Sequence, residues 1–128
     1  MGQKITSRRR SDRCTAEFPL EFDITDGQGR PISGNKSREG VTLDVSKHGL
    51  SFIAEQIDET QLPELVDGMV MLALTVTLPD NKRSTLLARV AWANKFDNDS
   101  GGRYFIGVDF VSGDGIDALY KAAKSFSV

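Results

Sequence analysis

The feature of this sequence that most restricts its fold is the recurrence of Val or Leu at every second position over residues 70–78, with Met, Ala and Thr between them. Apolar side chains that recur at every second position lie on one face of a β-strand. A turn sequence, Pro-Asp-Asn, follows at residues 79–81, and the alternation resumes over residues 84–94. On this second segment one face would carry Leu86, Ala88, Val90 and Trp92. The pattern predicts a β-hairpin.

Four further segments have the composition and period of short strands: residues 16–24, 41–46, 50–54 and 103–111. Proline cannot donate a ladder hydrogen bond, so Pro19 predicts that the first of these strands lies at a sheet edge or contains a bulge. In the last segment the alternation would turn four side chains inward: Tyr104, Ile106, Val108 and Phe110. The sequence therefore contains six predicted strands.

The remaining segments are predicted to be loops and one helix. Residues 25–40 are rich in Gly and Pro and form a loop, and residues 55–68 form a connection with one helical turn. After residue 113 the apolar period changes to that of a helix, with Asp114 as the expected N-cap. Its apolar stripe would be Ile116, Leu119, Tyr120, Ala123 and Phe126. Six strands joined by short turns predict an all-β protein, a six-stranded antiparallel β-barrel with a C-terminal α-helix packed on it.

The charge is unevenly distributed along the 128 residues, which we interpret as a single domain. Residues 1–16 hold five of the 16 basic residues and only one of the 18 acidic residues. We expect residues 1–13 to form a flexible arm, residues 14–112 the barrel and residues 114–126 the helix. A basic arm on an acidic body predicts an anionic partner at the arm. Arginine is suited to this because its planar fork binds phosphate through two hydrogen bonds and stacks on flat rings.

Catalysis and metal binding find little support in the sequence. Asp44, Ser46 and His48 alternate along a strand, where such side chains stand about 6.5–7 Å apart and point in parallel, so they cannot converge as a catalytic triad. His48 is the only histidine and Cys14 the only cysteine, and no spacing resembles a metal site. We therefore expect no enzyme activity, no metal and no intramolecular disulfide. One cysteine fits a cytoplasmic protein, and no apolar run predicts membrane insertion.

Residues 41–50 allow two interpretations. In the simpler one they are a hairpin in which Asp44 and Ser46 satisfy backbone groups and Gly49 adopts a positive φ. Combined with the arginine arm, however, the same residues suit a guanine nucleotide. Arginine matches phosphates and the O6/N7 edge of guanine, whereas a carboxylate accepts hydrogen bonds from its N1–H and N2–H₂ groups. The sequence thus indicates a guanine nucleotide that carries more than one phosphate charge.

These two segments resemble the motifs of PilZ domains. Residues 9–13 (Arg-Arg-Ser-Asp-Arg) are similar to the RxxxR motif, and residues 44–49 (Asp-Val-Ser-Lys-His-Gly) are similar to the [D/N]xSxxG motif. Residues 87–92 resemble the long return strand of the family and residues 104–110 its last strand. The resemblance covers residues 7–112 and implies a barrel of the split-barrel type.

The resemblance also implies a function, namely a bacterial receptor for the second messenger cyclic di-GMP. By position in the motifs, Arg9 and Arg13 would bind phosphates and guanine edges, Asp44 and Ser46 would hold a guanine, and Gly49 would allow the tight turn.

Two more residues enter by position alone. Arg8 resembles the extra arginine of members that bind a stacked pair of ligands. Trp92 lies where some members place an aromatic ring against a guanine, although an inward-facing barrel residue is an equal interpretation.

We further expect the arm to close over the barrel when the dinucleotide binds, and a partner effector protein to read the change. The identity of the effector stays open, as does the choice between a monomer and a ligand-dependent dimer. The acidic body argues against DNA or RNA as a partner. The alternative function is a small nucleic-acid-binding or protein-interaction barrel with a basic arm.

Overall fold

A computed structural model describes residues 13–28, 30, 38–55, 63, 67, 70–95 and 103–126. Its elements in chain order are β1 (Cys14–Thr15), β2 (Pro19–Thr25), β3 (Arg38–Val45), β4 (Gly49–Ala54), β5 (Met71–Thr77), β6 (Arg83–Lys95), β7 (Tyr104–Ser112) and α1 (Ile116–Phe126). Each of the six predicted strands is present, and so is the C-terminal helix. Residues 1–12 of the predicted arm 1–13 lie outside the described residues, as does most of the predicted connection 55–68.

Strands β2 to β7 form a closed antiparallel barrel. Around the ring their order is β3-β2-β5-β6-β7-β4, and β4 pairs back onto β3 to close it. The short strand β1 lies beside β3 and pairs with its last residues, Asp44 and Val45. Closure leaves no long open edge in a small all-β chain. The predicted all-β class and the six-stranded barrel with one C-terminal helix are confirmed.

The prediction that the strand at Pro19 lies at a sheet edge or contains a bulge is wrong, since neither of its pairings shows a register shift. Strand β2 pairs with β3 on one side and with β5 on the other. Pro19 is the first residue of β2, and its ladder with β5 begins only at Leu20. Proline is tolerated there because the first residue of a strand can do without a donor.

The barrel interior is filled by the alternating apolar residues of all six strands. Phe22 and Phe52 meet there with ring centroids 5.3 Å apart. The predicted hairpin of residues 70–94 is confirmed, with β5 and β6 joined by a turn in which Asn81 adopts φ 69°. The fully buried large residues, which define the core, are Phe18, Phe22, Phe52, Leu72, Leu74, Leu86, Ile106, Leu119, Val45 and Val76. Helix α1 contributes Leu119 and Ala123 to the same core.

Trp92 departs from the inward face on which the alternation places it. Leu86, Ala88 and Val90 are buried as predicted, but Trp92 is 39% exposed. The register of β6 against β7 shifts between Val90 and Trp92 because Ala91 forms a bulge. One extra residue turns the following side chains to the opposite face of the sheet. The inward-facing interpretation of Trp92 is therefore wrong.

Helix α1 runs from β6 to the β3–β4 turn. The N–H of Leu119 donates to the carbonyl of Gly115 at 2.9 Å, so Gly115 and not Asp114 is the N-cap residue. In the middle of the helix the ring of Tyr120 faces the ammonium groups of Lys47 and Lys124, 5.6 and 5.8 Å from the centroid. Within the described part of the chain, no helix is both long and apolar enough to cross a membrane.

A buried threonine joins the start of the chain to the barrel. The Thr42 hydroxyl donates to the carbonyl of Ala16 and accepts from the N–H of Phe18. The N–H of Thr42 also donates to the carbonyl of Phe18 at 3.0 Å. Directly after Thr42 the register of β3 against β4 shifts, which brings Asp44 opposite Ser51. These bonds fix the segment that connects Arg13 to the barrel.

Candidate functional site

The turn between β3 and β4 is held by the side chain of Ser46. Its hydroxyl accepts from the N–H groups of His48 and Gly49, each at 3.2 Å, and donates to the Gly49 carbonyl. The backbone N–H of Ser46 also donates to that carbonyl at 2.8 Å. The carbonyl of His48 in turn accepts from the N–H of Phe110, so the turn is tied to β7. Ser46 thus shapes the turn, as the simpler interpretation of this hairpin predicted.

Gly49 is required by close packing and not by its backbone torsion angles. The predicted positive φ is wrong, since the one described glycine with a positive φ is Gly113. A Cβ atom on Gly49 would instead overlap the carbonyl oxygen of Val108 on β7. Only glycine allows β4 and β7 to approach this closely at the end of the turn.

Asp44 lies beside Arg13 at the edge of the barrel. The Nη1 atom of Arg13 is 3.6 Å from Oδ1 of Asp44, and their side chains are 55% and 30% exposed. Pairing of β1 with β3 places Thr15 opposite Asp44, which brings the end of the arm to this carboxylate. Among the described residues Asp44 has no other side-chain partner, so most of its acceptor capacity is available. Arg8 and Arg9 lie outside the described residues.

The strand registers align Asp44 with Trp92 in one row across the outer face of the barrel. Asp44 opposes Ser51, Ser51 opposes Gly107, and Gly107 opposes Trp92. Three strand spacings separate the two ends of the row, which is about 14 Å. A Cβ atom on Gly107 would overlap the indole of Trp92, so the ring lies directly over this glycine. Between Asp44 and the indole the row therefore contains only a serine and a glycine.

We call the outward-facing residues of β3, β4, β7 and β6 the site wall. Among the described residues the three exposed large apolar side chains are Val41, Trp92 and Val111, and all three belong to it. The site wall thus offers a flat indole, a guanidinium and a carboxylate with free acceptors. Such a surface can hold a planar, hydrogen-bonding ring that carries negative charge.

Of the predicted site residues the structure brings together Arg13, Asp44, Ser46 and Gly49, and it places Trp92 at the far end of the same row. Sequence reasoning missed Ser51 and Gly107, which form the floor between them. The signal was present only indirectly, because the row depends on two register shifts that a period of two cannot reveal. No cluster of His, Cys, Asp or Glu that could bind a metal occurs in the part of the chain that is described.

Two open clefts lie beside α1. They have volumes of about 730 and 470 Å³ and are adjacent, both being lined by Leu78, Lys82 and Ala118 between the β5–β6 turn and α1. Neither contains a residue of the Asp44–Trp92 row. The chemistry of the motifs is therefore located on an exposed wall and not in either of these clefts.

A closed six-stranded β-barrel with an arginine–carboxylate pair on its outer wall defines a class of small binding domains. The family model described as PilZ domain matches residues 7–121, and the chain belongs to this family. PilZ domains are cyclic di-GMP-binding receptor domains and not enzymes. A search of curated proteins found no match.

Solved structures similar to this chain include three proteins of low sequence identity. The PilZ domain of YcgR from Escherichia coli, with c-di-GMP, is 13% identical at a TM-score of 0.59, covering 94% of this chain and 88% of that one. The PilZ domain of CeSA from a cellulose-synthesizing bacterium is 20% identical at a TM-score of 0.54, covering 91% and 98%. PlzA of Borreliella burgdorferi, in complex with c-di-GMP, is 13% identical at a TM-score of 0.57, covering 97% of this chain and 53% of that one. These similarities establish the shared fold.

Proposed function

We propose that this protein is a bacterial, cytoplasmic receptor for cyclic di-GMP. The observation that carries the proposal is the contact between Arg13 and Asp44, the last arginine of one motif and the first residue of the other, 3.6 Å apart on the site wall. Membership of the PilZ family and the structures of YcgR and PlzA with c-di-GMP support the choice of ligand.

The chemistry of the site fits guanine. The fork of Arg13 is suited to the O6/N7 edge of guanine or to a phosphate. The free acceptor atoms of Asp44 suit the N1–H and N2–H₂ groups on the other edge of the base. Trp92 offers a flat face on which a base can stack, a contact worth about 1–3 kcal/mol. In this mechanism the ligand replaces the weak contact between Arg13 and Asp44 with stronger bonds to each of them.

The arm completes the site in our proposal. By position in the RxxxR motif Arg9 joins Arg13 in binding the ligand, and Arg8 is suited to hold a second, stacked ligand. When the arm closes on the dinucleotide, the surface around Arg13 changes, and an effector protein reads that change. Binding of two stacked ligands or of an effector would set whether the protein acts as a monomer or a dimer.

Calorimetric titration with cyclic di-GMP tests the proposal, with GTP and cyclic di-AMP as ligand controls. Arg13→Ala and Asp44→Ala should each weaken binding by about 1.5–3 kcal/mol, the range for hydrogen bonds to charged groups. Arg30→Ala is the matched control, because Arg30 also forms an ion pair with an aspartate but lies away from the site wall. Amide exchange at residues 4–13, measured on the same complex, should slow when the ligand binds. Wild-type affinity in both site variants would refute the site, and unchanged exchange would refute closure of the arm.

A further inference from the structure

A second row of the site wall lies beside the row that runs from Asp44 to Trp92. This second row contains an arginine and an aspartate, Arg89 and Asp109. Gly49 opposes Asp109 on β7, and Asp109 opposes Arg89 on β6. Both side chains are exposed. They share the outer face with Trp92, because Arg89 precedes the bulge and Trp92 follows it. The bond from the Phe110 N–H to the His48 carbonyl, 2.8 Å long, fixes β7 to the motif turn beside Asp109.

These two side chains do not satisfy each other. They stand directly opposite, where oppositely charged cross-strand residues usually pair. Among the described residues, however, neither the guanidinium of Arg89 nor the carboxylate of Asp109 forms an ion pair or a side-chain hydrogen bond. A free fork and a free carboxylate thus lie next to each other, on the same wall as the ion pair of Arg13 and Asp44.

The position of this second pair matches a ligand that spans the wall. Asp109 is two strands from Asp44, about 10 Å, and one row further along, about 7 Å, which gives a separation of roughly 12 Å. The wall between the two carboxylates contains Gly49, Ser51 and Gly107. Gly49 and Ser51 have small side chains or none, and Gly107 is covered by the partly exposed indole of Trp92. A flat ligand that spans the two pairs would therefore lie on this low surface and against the outer face of the indole.

We infer that Arg89 and Asp109 form a second guanine-reading pair, so that the site wall holds one Arg–Asp pair for each base of a cyclic guanine dinucleotide. The inference rests on the proposed function and extends it. A dinucleotide with two identical bases presents the same donor and acceptor edges twice, and two equivalent pairs match that repetition. Arg89 donates to O6 and N7 of the second guanine, and Asp109 accepts from its N1–H and N2–H₂ groups.

The test compares cyclic di-GMP with the mixed dinucleotide cyclic GMP–AMP, which has a single guanine. Arg89→Gln and Asp109→Asn should each weaken cyclic di-GMP binding about tenfold, within the range for one bidentate base contact. The mixed ligand can place its guanine at Arg13 and Asp44 and its adenine at the second pair. The affinity of each variant for the mixed ligand should therefore be no more than about twofold below that of the wild type. This factor of two arises because the wild type can bind the mixed ligand with its guanine at either pair, whereas the variant can bind it in one orientation only. Arg89→Lys, which keeps the charge but not the fork, should behave like Arg89→Gln.

Arg83→Gln and Asp23→Asn are matched controls outside the two rows, and both should leave each affinity unchanged. Thermal unfolding shows whether the variants fold, which the exposure of Arg89 and Asp109 leads us to expect for the site variants. Equal losses for the two dinucleotides would mean that the pair acts only through charge, and the inference would be wrong. Unchanged affinity for cyclic di-GMP would overturn the inference while leaving the proposed function intact. A wild-type protein that binds neither ligand would overturn both.

Discussion

The two Arg–Asp ion pairs in the described part of this barrel differ in how completely the carboxylate is bonded. Asp26 accepts from the N–H groups of Gln28 and Arg30, each at 2.9 Å, and from Nε of Arg30 at 3.2 Å. These bonds, the one from the Arg30 backbone first, lower the pKa of Asp26 below its usual 3.8. Asp44 has a single described partner, Arg13, at 3.6 Å. The first carboxylate accepts three hydrogen bonds, whereas the second has one contact.

The difference separates a structural carboxylate from one that is available to a ligand. Asp26 and Arg30 are four residues apart, and their bonds close a turn at the end of β2. Asp44 and Arg13 are distant in sequence and meet because β1 pairs with β3. A carboxylate carries about four acceptor positions, and unused ones on an exposed wall favour a partner with several donors. Bonding, and not charge alone, therefore distinguishes the pair that we propose as functional.

We expect the largest effect from a substitution at Thr42, which attaches the segment after Arg13 to the barrel. Thr42→Val removes the acceptor of the Phe18 N–H and the donor to the Ala16 carbonyl, both in buried residues. Leaving buried polar groups unsatisfied costs about 1–3 kcal/mol. We expect the free energy of unfolding, measured in urea, to fall by that amount and cyclic di-GMP affinity to fall with it.

Thr75→Val is the control for this change. Thr75 lies on β5, half-buried and outside the site wall, and no described hydrogen bond involves its side chain. Valine fits a strand as well as threonine, so stability and affinity should stay unchanged. Equal stability of Thr42→Val and the wild type would show that Arg13 does not depend on this anchor.

The indole of Trp92 should matter for the ligand and little for the fold. Trp92→Ala removes a ring that is 39% exposed and covers Gly107. Loss of one stacked base should weaken cyclic di-GMP binding by about 1 kcal/mol, the lower end of the stacking range, since one face is open to water. Val111→Ala, 45% exposed on the same wall but outside the two rows, is the control. Equal losses of cyclic di-GMP affinity in Trp92→Ala and Val111→Ala would mean that Trp92 contributes only general apolar contact and no stacking on a base.

Much of the fold could be predicted because each strand of this barrel buries one face. The alternation over residues 70–78 and 84–94 predicted the β5–β6 hairpin and its buried residues up to Val90. The alternation failed at Trp92, where a bulge turns the side chain to the other face of the sheet. The separate prediction from Pro19 failed because Pro19 is the first residue of a strand that is paired on both sides. Bulges and strand partners depend on contacts between distant segments, which local periodicity does not contain.

The candidate site was predictable only in part for the same reason. The motif spacing selected Asp44, Ser46 and Gly49, although the reason given for Gly49 was wrong. Ser51 and Gly107 carry no chemical signal of their own, and they enter the site because two shifted registers align them with Asp44 and Trp92. In the sequence alone, Arg89 and Asp109 look like ordinary charged residues of exposed strand faces. Only the strand registers show that they lie in one row with Gly49.

We expect the smallest effect on stability at the Asp26–Arg30 pair, and this effect depends on pH. Because folding lowers the pKa of Asp26 below 3.8, its contribution to stability is present above 3.8 and is lost as the pH falls through the folded-state pKa. The unfolding midpoint of Asp26→Ala should lie slightly below that of the wild type at neutral pH, and the two should converge in acid. Arg30→Ala should keep most of the pH dependence, since the leading cause of the shift is a bond from the Arg30 backbone, which the substitution retains. Both variants should bind cyclic di-GMP like the wild type. A loss of affinity in either variant would contradict the distinction between Asp26, whose carboxylate is bonded within its own turn, and Asp44, whose carboxylate is available to a ligand.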